Sequence, residues 1–156
     1  QSVDDLRMVL KHVDEPDIDI SDDEDESALH MAVNHYHDVA NYGDNSDETI
    51  SLCKNIIIEL LKHNANPLLS FDIKSPVKFM IEYGMFDLLE IFVQHSKHDI
   101  SFNAIYYSIL IGNYDFVEYL IDRVDMNQVK NRRTLLEYAM DIGAGEDIIE
   151  LLRTSL

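Results

Sequence analysis

The sequence predicts an all-α chain built as a solenoid of stacked helix-turn-helix units, and three observations carry that prediction. Apolar residues recur at three- and four-residue spacing in short segments along the chain, the mark of helices with one buried stripe. These segments come in pairs with a glycine between the members, in residues 75–93 (SPVKFMIEYGMFDLLEIFV), 103–121 (NAIYYSILIGNYDFVEYLI) and 134–152 (TLLEYAMDIGAGEDIIELL). The pairs also align. Placing Gly84 on Gly112 puts Asp87 on Asp115, Leu89 on Val117, and Phe92 and Val93 on Leu120 and Ile121. With one extra residue after Gly143, the third pair follows through Asp147, Ile149, Leu151 and Leu152. Helices of about eight to ten residues are marginal alone, so packing against neighbours must hold them. A helix pair that cannot close its own core is the unit of a stacked solenoid.

Taken in order, residues 4–13, which open DDLRMVLKH, read as the second helix of a partial leading unit. Residues 14–26 form an acidic connector with nine acids and no base. SALHMAVNH (27–35) begins the first full unit and NIIIELLKHNANP (55–67) ends it, so that unit spans 27–67. Further units follow at 75–96, 103–124 and 134–156, the last as the C-terminal cap, and the whole 1–156 reads as one domain. Unit starts at Ser27, Ser75, Asn103 and Thr134 are 48, 28 and 31 residues apart. The long first spacing implies an insertion, placed at HDVANYGDNSDET (37–49) and expected to be a polar bulge. Glycine suits the end of each first helix, because the chain must reverse there with φ > 0.

These residues resemble the ankyrin repeat, whose pattern runs T-P-L-H-x-A-A, glycine, V-x-x-L-L and a G-A-D-like ending at a period of about 33. Ser27-Ala28-Leu29-His30-Met31-Ala32-Val33 carries the first element, and Leu60-Leu61-Lys62-His63-Asn64-Ala65-Asn66-Pro67 carries the ending. Ser75-Pro76-Val77, Thr134-Leu135-Leu136 and Asn103-Ala104-Ile105 are weaker copies. The resemblance covers residues 4–156 and implies an ankyrin-repeat solenoid of a partial N-terminal repeat plus four repeats. It assigns His30 to backbone hydrogen bonding in the turn. Phe79-Met80 and Tyr107-Ser108 depart from the small residues usual in the family.

Thirty acids against 12 bases give a formal charge of −18, a field that repels nucleic-acid phosphates and anionic lipids and favours basic partners. Direct nucleic-acid and membrane binding are therefore not expected; no apolar run is long enough to span a bilayer. Cys53 is alone, which excludes an internal disulfide and fits an intracellular, cytoplasmic or nuclear, setting. Because the chain begins at Gln1, we expect a fragment or processed product.

No motif in the sequence carries a catalytic or metal-binding pattern. The many carboxylates read as solvated, and Cys53 in SLCKNIII reads as a buried thiol. His35 and His37 lie two apart and face different sides of a helix, with no second ligand pair at zinc-like spacing. Asp17, Asp19, Ser21 and Asp23 imitate a calcium loop but have Asp22 at its glycine position and Ala28 at its glutamate position. Ser21 before Asp22-Asp23-Glu24 imitates an acid-directed kinase site and reads as an ordinary connector serine. We therefore expect no enzyme, no cofactor and no metal.

Function then falls to the surface. The resemblance implies a concave face lined by the first helices and connector tips. The doublets before the turn are Asn34-His35, Glu82-Tyr83, Leu110-Ile111 and Asp141-Ile142. Tyr83, Leu110, Ile111 and Ile142 would make an apolar strip, with His35 at its head. A second column, Met31, Phe79, Tyr107 and Tyr138, reads as packing between repeats with tyrosine hydroxyls at a contact rim. Acidic Asp22, Asp23 and Glu24, the tip from Phe71 to Lys74, and basic Lys130, Arg132 and Arg133 complete the candidate surface. The expected role is protein–protein recognition, as adaptor or competitive inhibitor. The alternatives are an acidic decoy that mimics nucleic acid, and a targeting or spacer module of a larger enzyme.

Overall fold

The computed structural model describes Met8 and residues 18–21, 26–43, 46–70 and 73–156. The described residues form eight α-helices and no strand, in keeping with the all-α prediction. In chain order they are α1 Ala28–Tyr42, α2 Asp47–Lys62, α3 Pro76–Glu82, α4 Phe86–His95, α5 Ser101–Ile111, α6 Tyr114–Ile121, α7 Leu135–Ile142 and α8 Glu146–Thr154. None is long and apolar enough to cross a membrane.

Local chemistry explains where the helices begin. Ser27, Ser46, Ser75, Asn113 and Thr134 each accept the backbone N–H three residues on, satisfying an N–H that would otherwise lack a helical partner. Thr134 and Glu137 form a reciprocal capping box. Ser27 forms the same box with a histidine in the return position: its N–H donates to His30 Nδ1 at 3.1 Å. Pro76 occupies the first turn of α3, where its missing N–H costs nothing.

Four of the helix ends share one device. At the end of α5 the N–H of Asn113 donates to Ser108 O (2.9 Å) and that of Gly112 to Ile109 O (3.2 Å), a Schellman motif. The same pair of bonds closes α2 at Asn64, α3 at Gly84 and α7 at Gly143. Gly112 has φ 81°, and a Cβ there would meet nothing within 4 Å. Its requirement is therefore for a left-handed backbone rather than for space. Gly112→Ala is expected to cost about 1–2 kcal/mol, and Gly112→Asn less, read as a lower urea midpoint at unchanged slope. Equal losses for both variants would refute the backbone explanation.

The helices pack as successive pairs, α1 with α2, α3 with α4, α5 with α6 and α7 with α8. The odd-numbered helices also touch one another in order, α1 to α3 to α5 to α7. In the even row α2 meets α4 and α6 meets α8. Phe86 of α4 spans to Phe116 and Tyr119 of α6, with ring centroids 5.4 and 5.2 Å apart. One apolar core runs through all the pairs, from Leu29, Ile57 and Leu61 through Met80, Leu89 and Phe92 to Ile105, Leu120 and Leu152.

The insertion differs from expectation. Residues 37–42 finish α1 and residues 47–49 begin α2, so these helices reach 15 and 16 residues and most of the insertion is helical rather than a polar bulge. The reason is legible in hindsight: Val39 and Ala40 follow Tyr36 at three and four residues, continue its stripe, and pack with Ile50 against the core. The partial leading unit at 4–13 lies outside the described residues except for exposed Met8. Of the acidic connector, Ile18 is buried in the core and Asp19 accepts the N–H of Asn66 at 2.8 Å. The described part of the connector is therefore docked rather than wholly solvated.

Candidate partner-binding surface

The turn that ends each odd helix leaves its last residues facing outward. Tyr83 is 53% exposed, Leu110 52%, Ile111 44% and Ile142 39%, high values for side chains of this size. Tyr83 directly follows α3, and Ile111 and Ile142 end α5 and α7, each just before its turn glycine with Leu110 one residue earlier, and these three helices touch in sequence. Met140, 55% exposed on α7, lies outside the doublet and borders a shallow groove with Arg132, Arg133, Glu137 and Asp141 instead of joining Ile142. His35 is exposed, but α1 continues to Tyr42, so Asn34-His35 sits in mid-helix rather than before a turn.

The second column divides. Met31 is exposed, and Phe79 and Tyr107 are half-buried. Tyr138 is buried, its ring stacked on Tyr106 with centroids 4.0 Å apart and planes at 13°. Burial and a hydrogen bond with Tyr106 push its phenol up to about 12. Tyr138 therefore packs α7 against α5 and does not offer its ring at a rim.

The basic tip is a two-residue reverse turn. Asn131 (φ 54°) and Arg132 (φ 66°) sit between Lys130 and Arg133, whose backbones exchange hydrogen bonds of 2.9 and 3.1 Å. Lys130 Nζ lies 4.3 Å from the Tyr106 ring centroid, a cation–π contact, and Arg133 Nε lies 3.0 Å from the Asp141 carboxylate. Two of the three tip cations are thus engaged within the chain, and Arg132 is exposed at the corner. The acidic candidates Asp22, Asp23 and Glu24 lie outside the described residues, as do two of the four residues from Phe71 to Lys74.

At the head of the surface, α1 and α3 bring together an aromatic group that the spacing did not reveal. His37 lies 4.7 Å from Tyr83, 5.5 Å from Phe79 and 6.1 Å from Tyr42, and Phe79 lies 4.6 Å from Tyr83, all between ring centroids. A cavity of about 200 Å³ adjoins it, bordered by Glu26, His30, Asn34, Lys74, Phe79 and Tyr83. His30 is almost wholly buried. Burial lowers its pKa, which the backbones of Leu69 and Lys74 and the charges of Glu26 and Asp19 oppose. Its Nε2 is buried with no partner in hydrogen-bond geometry among the described residues.

The opposite row carries charge. Asp87 and Glu90, Asp115 and Glu118, and Asp147 and Glu150 hold equivalent places on α4, α6 and α8. The even row thus repeats a pair of acids where the odd row repeats exposed apolar side chains.

Reactive groups are muted. Burial raises the Cys53 thiol, disfavouring thiolate. Burial and the Asp87 carboxylate raise the Tyr36 phenol, so it is no nucleophile at neutral pH. Among the described residues no three His, Cys, Asp or Glu side chains group as a metal site.

Comparison with protein-family models, with curated proteins and with solved structures gives no match.

Proposed function

We propose that the chain is an ankyrin-repeat-like solenoid that recognises another protein on the concave face such a stack presents, as adaptor or competitive inhibitor rather than enzyme. The observation that carries this reading is the set of exposed large apolar residues, Tyr83, Leu110, Ile111 and Ile142, at the turn ends of neighbouring helices. Apolar side chains repeated in register form a patch of the kind that marks an interface. The left-handed turns at Gly84, Gly112 and Gly143 and the capping role of His30 support the repeat reading. A second reading has a specific observation in its favour. The acidic pairs along α4, α6 and α8, with a net charge of −18, suit a decoy for a basic protein surface.

The test is capture of partners from cell lysate by wild type, by the double variant Tyr83→Glu/Ile111→Glu, and by a variant neutralised at Asp115, Glu118, Asp147 and Glu150. Each must first show wild-type helical circular dichroism and cooperative melting. We expect the strip variant to lose its partner, with about a hundredfold weaker binding if either residue is a hot spot. If only the neutralised variant loses binding, and does so through salt-sensitive contacts, the decoy reading replaces this one.

A further inference from the structure

We infer that the even row of helices carries two neighbouring seats for cationic side chains, at Phe86 with Asp115 and at Tyr114 with Asp147, and that together they take a basic segment of a partner protein. The inference goes beyond the concave-face reading, because these seats lie on the other row of helices. It gives the basic partner of the second reading a defined place to bind.

A third seat, already filled, shows what such a place receives. Ile57 and Leu60 on α2, Leu89 and Phe92 on α4, Val117 and Leu120 on α6, and Ile149 and Leu152 on α8 are buried with one spacing, which sets the four helices in a common register. In that register Lys54, Phe86 and Tyr114 are equivalent, and so are Asp87, Asp115 and Asp147. Where α2 meets α4, Lys54 Nζ lies 3.0 Å from the Asp87 carboxylate and 6.0 Å from the Tyr36 ring centroid. The chain thus sets its own ammonium beside a carboxylate and an aromatic ring.

The next two interfaces keep the carboxylate and replace the lysine by an aromatic residue. Phe86, Asp115, Glu118 and Tyr119 line a groove of about 390 Å³, and Tyr114, Asp147, Glu150, Leu151 and Thr154 line one of about 380 Å³. Asp115 and Glu118 are exposed, and among the described residues no cation pairs with either. Arg123 stacks on Tyr119, 4.1 Å from its ring centroid, and donates to the Tyr119 carbonyl instead. In the second groove Arg153 pairs with Glu150, while Asp147 accepts the N–H of Ile148 and has no cation.

An acidic occupant would be repelled by these carboxylates and by a net charge of −18. An apolar one would cover the rings but strip water from the carboxylates. A cationic side chain satisfies ring and carboxylate together, as Lys54 does at the first seat. Spacing adds a second requirement. Helices packed side by side lie about 8–10 Å apart, so successive seats are separated by about that distance. Residues three apart in a polyproline II segment share one side at about 9 Å, which matches.

The probe is acetyl-Arg-Pro-Pro-Arg-amide, titrated at low salt into the ¹⁵N-labelled chain. Its isomer acetyl-Arg-Arg-Pro-Pro-amide and the uncharged acetyl-Cit-Pro-Pro-Cit-amide, with citrulline for arginine, are the controls. Expected are saturable amide shifts centred on Asp115 and Asp147, with the isomer about fivefold weaker and the citrulline peptide not binding. Each variant is first checked for wild-type circular dichroism. Asp115→Asn/Asp147→Asn should weaken the probe about tenfold or more, whereas Glu48→Gln/Asp122→Asn, which removes the same charge outside both grooves, should not. Tyr114→Lys repeats the Lys54 arrangement at the second seat, so it should abolish the shifts around Asp147 and keep those around Asp115. Citrulline binding equal to arginine, shifts centred elsewhere, no saturable shift, or Asp147 shifts that persist in Tyr114→Lys would each overturn the seats. Equal loss in the two double variants would overturn them as well and leave only diffuse attraction to the chain's acids. An isomer that binds as tightly would overturn the paired spacing. None of these outcomes bears on the concave face, because Tyr83→Glu/Ile111→Glu tests that reading with both seats unchanged.

Discussion

Replacing Phe92 by alanine is expected to be the most damaging single change in the chain, costing about 3–5 kcal/mol. Phe92 is fully buried, on the inward face of α4, and is among the largest side chains in the core to which every helix pair contributes. The loss combines the transfer free energy of the ring with the cavity left behind, because α4 meets both α2 and α3 and cannot collapse toward one without leaving the other. Ordinary domains are stable by about 5–15 kcal/mol, so the variant should stand close to unfolding at room temperature. Urea titration followed by circular dichroism gives the magnitude. The stack adds a second readout, because each pair leans only on its neighbours and weakening an inner pair reduces coupling between the two ends. A broadened transition with lower slope is therefore expected, whereas a small shift at wild-type slope would show that the pairs behave as one rigid core.

Part of this architecture was legible because its causes are local. The left-handed turns at Gly84, Gly112 and Gly143 follow from the residue itself, and Asn64 substitutes for glycine for the same stereochemical reason. The apolar stripes followed likewise from three- and four-residue spacing. The insertion was misread because its composition is polar, although Val39, Ala40 and Ile50 kept the helical period. Exposure of Tyr83, Leu110, Ile111 and Ile142 could be anticipated from their place before a turn. Packing of Tyr138 between helices was likewise expected from its column, but its partner could not be, since that depends on which ring the neighbouring helix supplies, and Tyr106 rather than solvent lies opposite. The group formed by His37, Phe79, Tyr83 and Tyr42 was hidden for the same reason, as it joins α1 to α3 with the whole of α2 between them in the chain.

The polar tie at Asp87 belongs to that second kind and yields the other large effect. Asp87 opens α4; the Tyr36 hydroxyl of α1 donates to its carboxylate, and Lys54 Nζ of α2 lies 3.0 Å away. Three helices thus converge on one charge, which also sits favourably in the first turn of its own helix. Burial alone would raise the carboxyl pKa, but the hydrogen bonds from Tyr36 and Lys54 outweigh it and hold the group below its usual value. Asp87→Ala is expected to cost about 1.5–3 kcal/mol, the range for hydrogen bonds to a charged group, toward the lower end because the side chain is 47% exposed. With a depressed folded pKa, the contribution is complete above the unfolded value of about 3.9 and disappears as pH falls through the folded one. Acidification also relieves repulsion among the chain's 30 acids, so the absolute stability of wild type is a poor gauge. The difference between wild type and Asp87→Ala isolates the group. It should be constant between pH 7 and pH 5 and shrink below pH 4. A cycle with Tyr36→Phe should show coupling of about 0.5 kcal/mol or more. A difference that persists unchanged at pH 2 would mean that Asp87 matters for its shape rather than its charge, and that the three helices are joined by packing alone.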